Sequence, residues 1–65
     1  MWTTYWWEVT DENSDIYGEE FFTELKNGTR KDHLKYVQDL FPNTKIQCYG
    51  EVTEDEAEMM GFDTY

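Results

Sequence analysis

Almost every residue of the first predicted element, WTTYWWEV at residues 2–9, is β-branched or aromatic. Residues of these types favour an extended strand. Because the side chains of a strand point alternately to its two sides, Tyr5 and Trp7 share one face, whereas Trp6 and Glu8 share the other. The pattern therefore predicts a strand with one apolar face and one mixed face.

A second strand is predicted at residues 19–26, EEFFTELK, after a loop that is rich in turn-forming residues. Phe21 and Leu25 fall on one side of this strand and make that side apolar. The opposite side carries Glu20, Phe22 and Glu24. Asn27 and Gly28 then form a turn signal that ends the strand.

The central segment predicts a helix over residues 30–41. Thr29 is a suitable N-cap, and Asp32 stands at the third helical position of a capping box. Pro42 ends the helix, because the residue before a proline is biased away from helical geometry. The apolar residues at helical spacing, which we expect to form the buried stripe, are Leu34, Val37, Leu40 and Phe41.

A third strand is predicted at residues 44–52, TKIQCYGEV. Ile46 and Cys48 point to one side of this strand, and Tyr49 points to the other. Gly50 is typical of a β-bulge.

A short helix is predicted at the end of the chain. Thr53 and Glu56 form a second capping box, and Gly61 is a natural C-terminal stop. We expect the remaining residues 62–65, FDTY, to form a tail.

These elements predict a single small α+β domain over residues 1–65, with the order ββαβα. The simplest sheet is three-stranded and antiparallel, in the order 2-1-3, with the aromatic first strand in the centre. Its apolar face packs on the main helix, and the short C-terminal helix follows. A chain of this size buries only about 60% of its unfolded surface, and its aromatic content of 18% supplies large groups for that core.

The second face of the predicted sheet is the candidate binding surface. Its centre and surround carry Trp6, Phe22, Tyr49, Glu8, Glu20, Glu24 and Glu51. Aromatic groups ringed by carboxylates suit a cationic protein partner. The sequence is also compatible with two other arrangements: the apolar residues of segment 54–65 cover this face, or two copies form a face-to-face homodimer.

Charge is unevenly distributed along the chain, which has 15 acidic and 5 basic residues and a formal net charge of −10. All five bases lie in residues 26–45, whereas the two flanking segments hold thirteen acids and no base. Such a surface is repelled by nucleic acid and by anionic lipid, so we expect neither direct nucleic-acid binding nor membrane association. No apolar run approaches the ~20 residues of a membrane span. A lone cysteine suits the reducing cytoplasm, where we expect the protein.

One loop has part of the spacing of a calcium site. Asp11, Asn13 and Asp15 match the first half of an EF-hand loop. The sixth and twelfth positions are Ile16 and Phe22, where that loop needs a glycine and a bidentate glutamate. A solvated turn is therefore the expected structure.

No motif predicts an enzyme, a cofactor or a metal site. His33 has no nucleophile or carboxylate at catalytic spacing, so we expect an exposed helical histidine. Cys48 has no cationic neighbour that would activate it, so we expect a buried, inert thiol.

The C-terminal segment GEVTEDEAEMMGFDTY, together with the small size and acidity of the chain, resembles small accessory proteins of bacterial phages and mobile elements. Within that group the chain is similar in kind to anti-CRISPR proteins and other DNA-mimic inhibitors. The resemblance covers overall organisation rather than a motif, and the bases at residues 26–45 depart from a uniformly acidic mimic. It implies a non-enzymatic inhibitor of a nucleic-acid-handling protein.

Two functions are therefore expected. The first is an inhibitor that binds a cationic or nucleic-acid-binding protein, with strong salt dependence, through Glu51, Glu54, Asp55 and Glu58. The alternative is a structural or regulatory interaction module, including a homodimer, that uses Trp6, Phe22 and Tyr49.

Overall fold

The structure, a computed structural model, describes all residues 1–65 and has six secondary-structure elements. They are β1 (Trp2–Val9), β2 (Glu20–Lys26), α1 (Arg30–Leu40), β3 (Ile46–Val52), α2 (Glu54–Met60) and β4 (Asp63–Thr64). The predicted α+β class is confirmed, and the three predicted strands and two predicted helices are present.

The strands form one sheet in the order β3-β1-β2-β4. β1 pairs antiparallel with both β2 and β3, which confirms the predicted order of the first three strands. β4 pairs in parallel with β2, so the sheet is four-stranded and mixed. The predicted ββαβα order and purely antiparallel three-stranded sheet are therefore wrong, because a fourth strand follows α2 at the C-terminal end of the chain. A two-residue strand leaves no alternation that a sequence pattern could detect.

The main core lies between the first face of the sheet and α1. Trp7, Val9 and Phe21 are fully buried there and pack with Val37 of α1. A fully buried side chain of this kind contributes about 1.5–3 kcal/mol relative to an exposed one. This cluster is therefore a main source of apolar stabilisation.

α1 buries only part of the stripe that its apolar residues predict, namely Val37 and, against the edge of the core, Phe41. Its fully buried residues are His33 and Val37, which lie one turn apart. Leu34 and Leu40, which were expected in the stripe, are 41% and 42% exposed. The prediction is wrong here because a histidine whose ring nitrogens are hydrogen-bonded can be buried, and apolar periodicity does not register it.

A β-bulge in β3 changes which side chains share a face. The pairing register shifts between Trp6 and Trp7, and Gly50 has a φ of +120°, which L side chains rarely adopt. Beyond the shift, Glu51 lies opposite Tyr5 and shares its face. The prediction that Glu51 lies on the second face is therefore wrong, because one extra residue in a strand inverts the alternation that follows it.

The two helices lie on opposite faces of the sheet. α1 connects β2 to β3 over the first face. α2 leads from β3 back to β4 over the second face, where Phe62 contacts Trp6 and Phe22. The two connections run in opposite directions across the sheet, so helices on opposite faces give both of them the same hand, as the chirality of parallel crossovers requires. Of the arrangements expected for the second face, the structure therefore shows the one in which the C-terminal segment covers much of it.

Candidate functional site

The second face of the sheet holds a cluster of four aromatic rings. The ring of Trp6 lies 4.4 Å from that of Tyr49 and 6.2 Å from that of Phe62, measured between centroids. Phe22 is 1% exposed and lies 5.6 Å from Phe62. Of the three aromatic residues predicted to bind a partner, Tyr49 is the most exposed, at 44%. The centre of this face is therefore a second small core, and its accessible aromatic part lies at one side.

Carboxylates border this aromatic cluster along β1 and β2. Glu8 and Glu20 lie directly opposite each other in the pairing register. Like charges in that arrangement repel each other. The hydroxyl of Tyr49 donates a hydrogen bond to Glu8, and this bond raises the pKa of Tyr49. The same bond holds the exposed tyrosine ring against the face.

The indole nitrogen of Trp6 is buried and has no hydrogen-bond partner. An unpaired buried donor costs about 1–3 kcal/mol. By contrast, the indole of Trp7 in the main core donates a 2.8 Å hydrogen bond to Thr23. The buried hydrogen-bond donors of the aromatic cluster on the second face are thus less completely paired than those of the main core.

α2 presents its acidic side chains to solvent. Glu54, Asp55 and Glu58, which the sequence assigned to partner binding, are all exposed. Glu56 instead has a local role, because its carboxylate accepts a hydrogen bond from the amide of Thr53, which lowers the pKa of Glu56. α2 contains no fully buried residue. Most of its surface is therefore free to meet a partner.

A groove of about 470 Å³ opens at the end of the second face where β1 begins and β2 and β3 end. In the pairing register Thr4 lies between Glu24 of β2 and Val52 of β3. The groove is lined by Trp2, Thr4, Glu24, Glu51, Val52, Thr53 and Glu54. Glu51 belongs to the first face by register, but it still borders the groove. Three carboxylates from separate segments of the chain therefore meet around one opening.

Four groove residues were not predicted from the sequence: Trp2, Thr4, Val52 and Thr53. The largest of these is Trp2. Its side chain is 62% exposed. Position parity along β1 places it on the same face as Thr4 and Trp6, and this signal could have placed it near Glu24. Exposed tryptophan is unusual, and tryptophan is enriched among the residues that contribute most to binding at interfaces.

The two sides of the sheet differ in charge. α1, on the first side, carries three exposed bases, Arg30, Lys31 and Lys35, against two exposed acids, Asp32 and Asp39. α2, on the second side, carries four acids and no base. Among the strand residues that face the second side, Lys26 at the end of β2 is the only base. The fold therefore converts an uneven charge pattern in the sequence into a charge difference across the molecule.

The interior on the first side contains a chain of polar groups around His33. His33 is fully buried, so the prediction of an exposed histidine is wrong. Its Nε2 lies 2.8 Å from the hydroxyl of Thr3, and its Nδ1 lies 2.7 Å from the hydroxyl of Thr23. The indole of Trp7 donates to Thr23, and the hydroxyl of Thr3 donates to the carbonyl of Gly28 at 2.6 Å.

These hydrogen bonds are all satisfied by one protonation state of the imidazole. Because Thr3 gives its proton to the carbonyl of Gly28, it accepts from Nε2–H, and Nδ1 then accepts the proton of Thr23, whose oxygen accepts from the indole. His33 is therefore neutral, and burial lowers its pKa against the opposing effect of Asp32 and Glu51. The ring does not line the groove. We assign this network a structural role.

No group of three or more Asp, Glu, His or Cys side chains is arranged to hold a metal ion. In the loop with calcium-like spacing, the carboxylate of Asp11 accepts hydrogen bonds from the amides of Asn13 and Lys45. The bond from Lys45 ties the loop to the segment before β3. Cys48 is a free, half-buried thiol beside the main core.

Comparison with known proteins gives no match: no protein-family model, no curated protein and no solved structure is significantly similar to this chain. Neither helix has the length and apolar character needed to cross a lipid bilayer. Function is therefore inferred from the groove, the exposed acids and the charge difference across the sheet.

Proposed function

We propose that this protein is a non-enzymatic binding protein whose acidic side docks on a basic surface of a nucleic-acid-handling protein. The observation that carries the proposal is the charge separation across the sheet, with the acids of α2 exposed on the side opposite α1. Electrostatic complementarity of this kind speeds association and selects the partner. Salt screens it over a Debye length of about 10 Å at 0.1 M ionic strength.

The size and charge of the molecule support binding in a channel that otherwise holds nucleic acid. Its principal extents are 34 × 24 × 15 Å, and its formal net charge is −10. A DNA duplex of that length carries about 20 phosphate charges, at one charge per ~1.7 Å. The protein has about half of that charge on a folded surface. An inhibitor of the DNA-mimic or anti-CRISPR type acts in this way, by excluding the nucleic acid.

A homodimer or interaction module built on the aromatic face receives less support. Phe22 is almost fully buried, and Phe62 lies over both Phe22 and Trp6. Two copies, each with a net charge of −10, also repel each other. The exposed acids are therefore the better candidate surface.

The first experiment is capture of partners from a bacterial lysate with the tagged protein. We expect a nucleic-acid-handling protein that is retained at low salt and released at high salt. Added DNA or RNA should displace the tagged protein, because both ligands compete for one basic site. A partner that resists high salt, or that binds DNA and this protein together, would contradict the proposal.

Charge variants then locate the surface. One variant removes three charges from α2: Glu54→Gln, Asp55→Asn and Glu58→Gln. A matched variant removes three charges elsewhere: Glu12→Gln, Asp15→Asn and Asp39→Asn. We expect the first to weaken binding about tenfold, since three exposed ion pairs of about 0.5 kcal/mol each contribute about 1.5 kcal/mol, and the second to change it little. Equal losses would mean that net charge, rather than this surface, governs binding.

A further inference from the structure

We infer that the groove at the end of the second face binds an arginine side chain of the partner protein, with the guanidinium lying on Trp2 and paired with Glu24 and Glu54. The inference rests on the proposed function, and it names the group through which the acidic side recognises its partner.

The groove is built on the sheet, so its shape is set by strand pairing. Thr4 is flanked by Glu24 on β2 and by Val52 on β3. Trp2 precedes Thr4 by two residues on the same strand face. The volume of the groove, about 470 Å³, lies within the range of about 300–1,000 Å³ found for small-ligand pockets. A single long side chain from a partner fits a space of this size.

Trp2 supplies the apolar part of the groove. It is 62% exposed, although it belongs to a strand whose other tryptophans are half-buried or buried. The face of an indole is the aromatic surface that attracts cations most strongly. A guanidinium group stacks on such a face as a flat plate, and so covers more of it than an ammonium does.

The carboxylates supply the charge. Glu24, Glu51 and Glu54 line the groove, and no basic residue does. These side chains are not arranged to hold a metal ion. Guanidinium has five donors in a fixed plane and can pair with more than one carboxylate at once. Arginine can therefore pair with more of the carboxylates in the groove than lysine can.

Lys26 is the base on this face that lies nearest to the groove, because it is opposite Trp2 in the pairing register. It is not among the residues that line the groove. One lysine charge also leaves a negative excess against three glutamates. We therefore expect Lys26→Gln to strengthen the binding of a cationic ligand modestly.

The groove can be tested without the partner, by NMR titration of the isotope-labelled full chain at low salt. The probes are three capped tripeptides, Gly-Arg-Gly, Gly-citrulline-Gly and Gly-Lys-Gly. We expect the arginine peptide to shift the indole signal of Trp2 and the amides of Thr4, Glu24 and Val52. Citrulline has nearly the same shape without the charge, so it should shift none of these signals. Lysine should bind more weakly than arginine.

Variants with matched controls separate the aromatic and the charged contributions. Trp2→Leu should weaken arginine binding about two- to five-fold, the size of an exposed cation–π contact. Its control is Tyr17→Leu, which removes an aromatic side chain that is 59% exposed outside the groove. Glu24→Gln should also weaken binding, whereas Glu12→Gln, with the same change in net charge, should not. Circular dichroism confirms that each variant keeps its fold.

The possible outcomes distinguish this inference from the proposed function. Shifts outside the groove, or equal binding of citrulline and arginine, would overturn the inference, while salt-dependent capture of a nucleic-acid-handling protein would leave the proposed function standing. Specific arginine shifts at the groove support the inference. If they occur and yet no such partner is captured, the proposed function fails and the arginine preference of the groove remains.

Discussion

At the scale of single residues, the hydroxyls of Thr3 and Thr23 determine the state of His33. One hydroxyl accepts from the imidazole and the other donates to it, so the neutral ring satisfies both. A second proton on Nδ1 would point at a hydroxyl that already accepts from the indole of Trp7. Thr23 would then lose the acceptor for its own proton. The fold therefore favours the neutral histidine by hydrogen bonding as well as by desolvation.

We expect the free energy of unfolding to fall as the pH is lowered from about 8 to about 5. The pKa of His33 is lowered in the folded state from its ordinary 6.5, so below that pH the unfolded chain binds more protons than the folded one. Stability is present above the unfolded pKa and is lost as the pH falls toward the folded pKa. One site limits the slope to about 1.4 kcal/mol per pH unit. Urea unfolding at several pH values measures this slope.

The control for the pH experiment is His33→Phe, which removes the titrating group and keeps a ring of similar size. Its stability should be lower but nearly independent of pH in the same interval. The capping carboxylates of Asp32 and Glu56 act at lower pH. Their pKa values are lowered from 3.8 and 4.5, so their contribution is lost only below those values. If the free energy of unfolding of the unmodified protein did not change with pH, the assignment of a neutral His33 would be contradicted.

At the scale of elements, α2 and β4 depend on anchors at their ends. A seven-residue helix is too short to be stable alone. The side chain of Thr53 caps its N-terminus, and Gly61, with a φ of +71°, ends it. Phe62 then packs on the second face, while Tyr65 stacks on Phe21 of the first face at 4.6 Å. The C-terminal segment therefore holds the β2 edge from both sides.

We expect Phe62→Ala to destabilise the protein by about 2 kcal/mol, less than the ~3–5 kcal/mol of a fully buried phenylalanine, because Phe62 is half-buried. The loss should appear first as faster amide exchange in α2, while the amides of β1 stay protected. Met59→Ala, in the last turn of α2, is the matched control, since Met59 is 88% exposed. Equal effects of the two substitutions would show that Phe62 is not the anchor.

At the scale of the whole molecule, the excess of acids opposes folding. A net charge of −10 on a chain with a radius of gyration of 11.3 Å brings many like charges within a Debye length of one another. The pairing of Glu8 with Glu20 adds a direct repulsion across β1 and β2. The acidic surface is therefore present at a cost in stability, which is consistent with the proposed role in binding.

We expect added sodium chloride to raise the free energy of unfolding, because it screens this repulsion. At low salt, Glu20→Gln should stabilise the protein by about 0.2–1 kcal/mol, the size of a cross-strand charge interaction. Glu12→Gln, an exposed loop position with the same change in charge, is the control and should have a smaller effect. Thermal unfolding at low and high salt tests this. If added salt lowered the free energy of unfolding, the account of self-repulsion would be contradicted.

The features that local sequence patterns predict correctly are those that depend on neighbouring residues. Alternation placed the first three strands, apolar periodicity and the cap at Thr29 placed α1, and the caps at Thr53 and Gly61 placed α2. Gly50 indicated the bulge. Each of these signals spans only a few residues and acts through backbone geometry and nearby hydrogen bonds. The sequence also determined the charge of the candidate surface and named Glu24, Glu51 and Glu54 among its acids.

The tertiary structure alone decided how distant segments meet. His33 is buried because it bonds to Thr3, 30 residues away, and no local pattern contains that partner. The bulge moved Glu51 to the other face, and the pairing of Asp63 with Phe21 made residues 63–64 a strand. The groove exists because the ends of three strands and the start of α2 come together. Local patterns set the elements, whereas long-range hydrogen bonding and packing set their register, and register decides which side chains share a site.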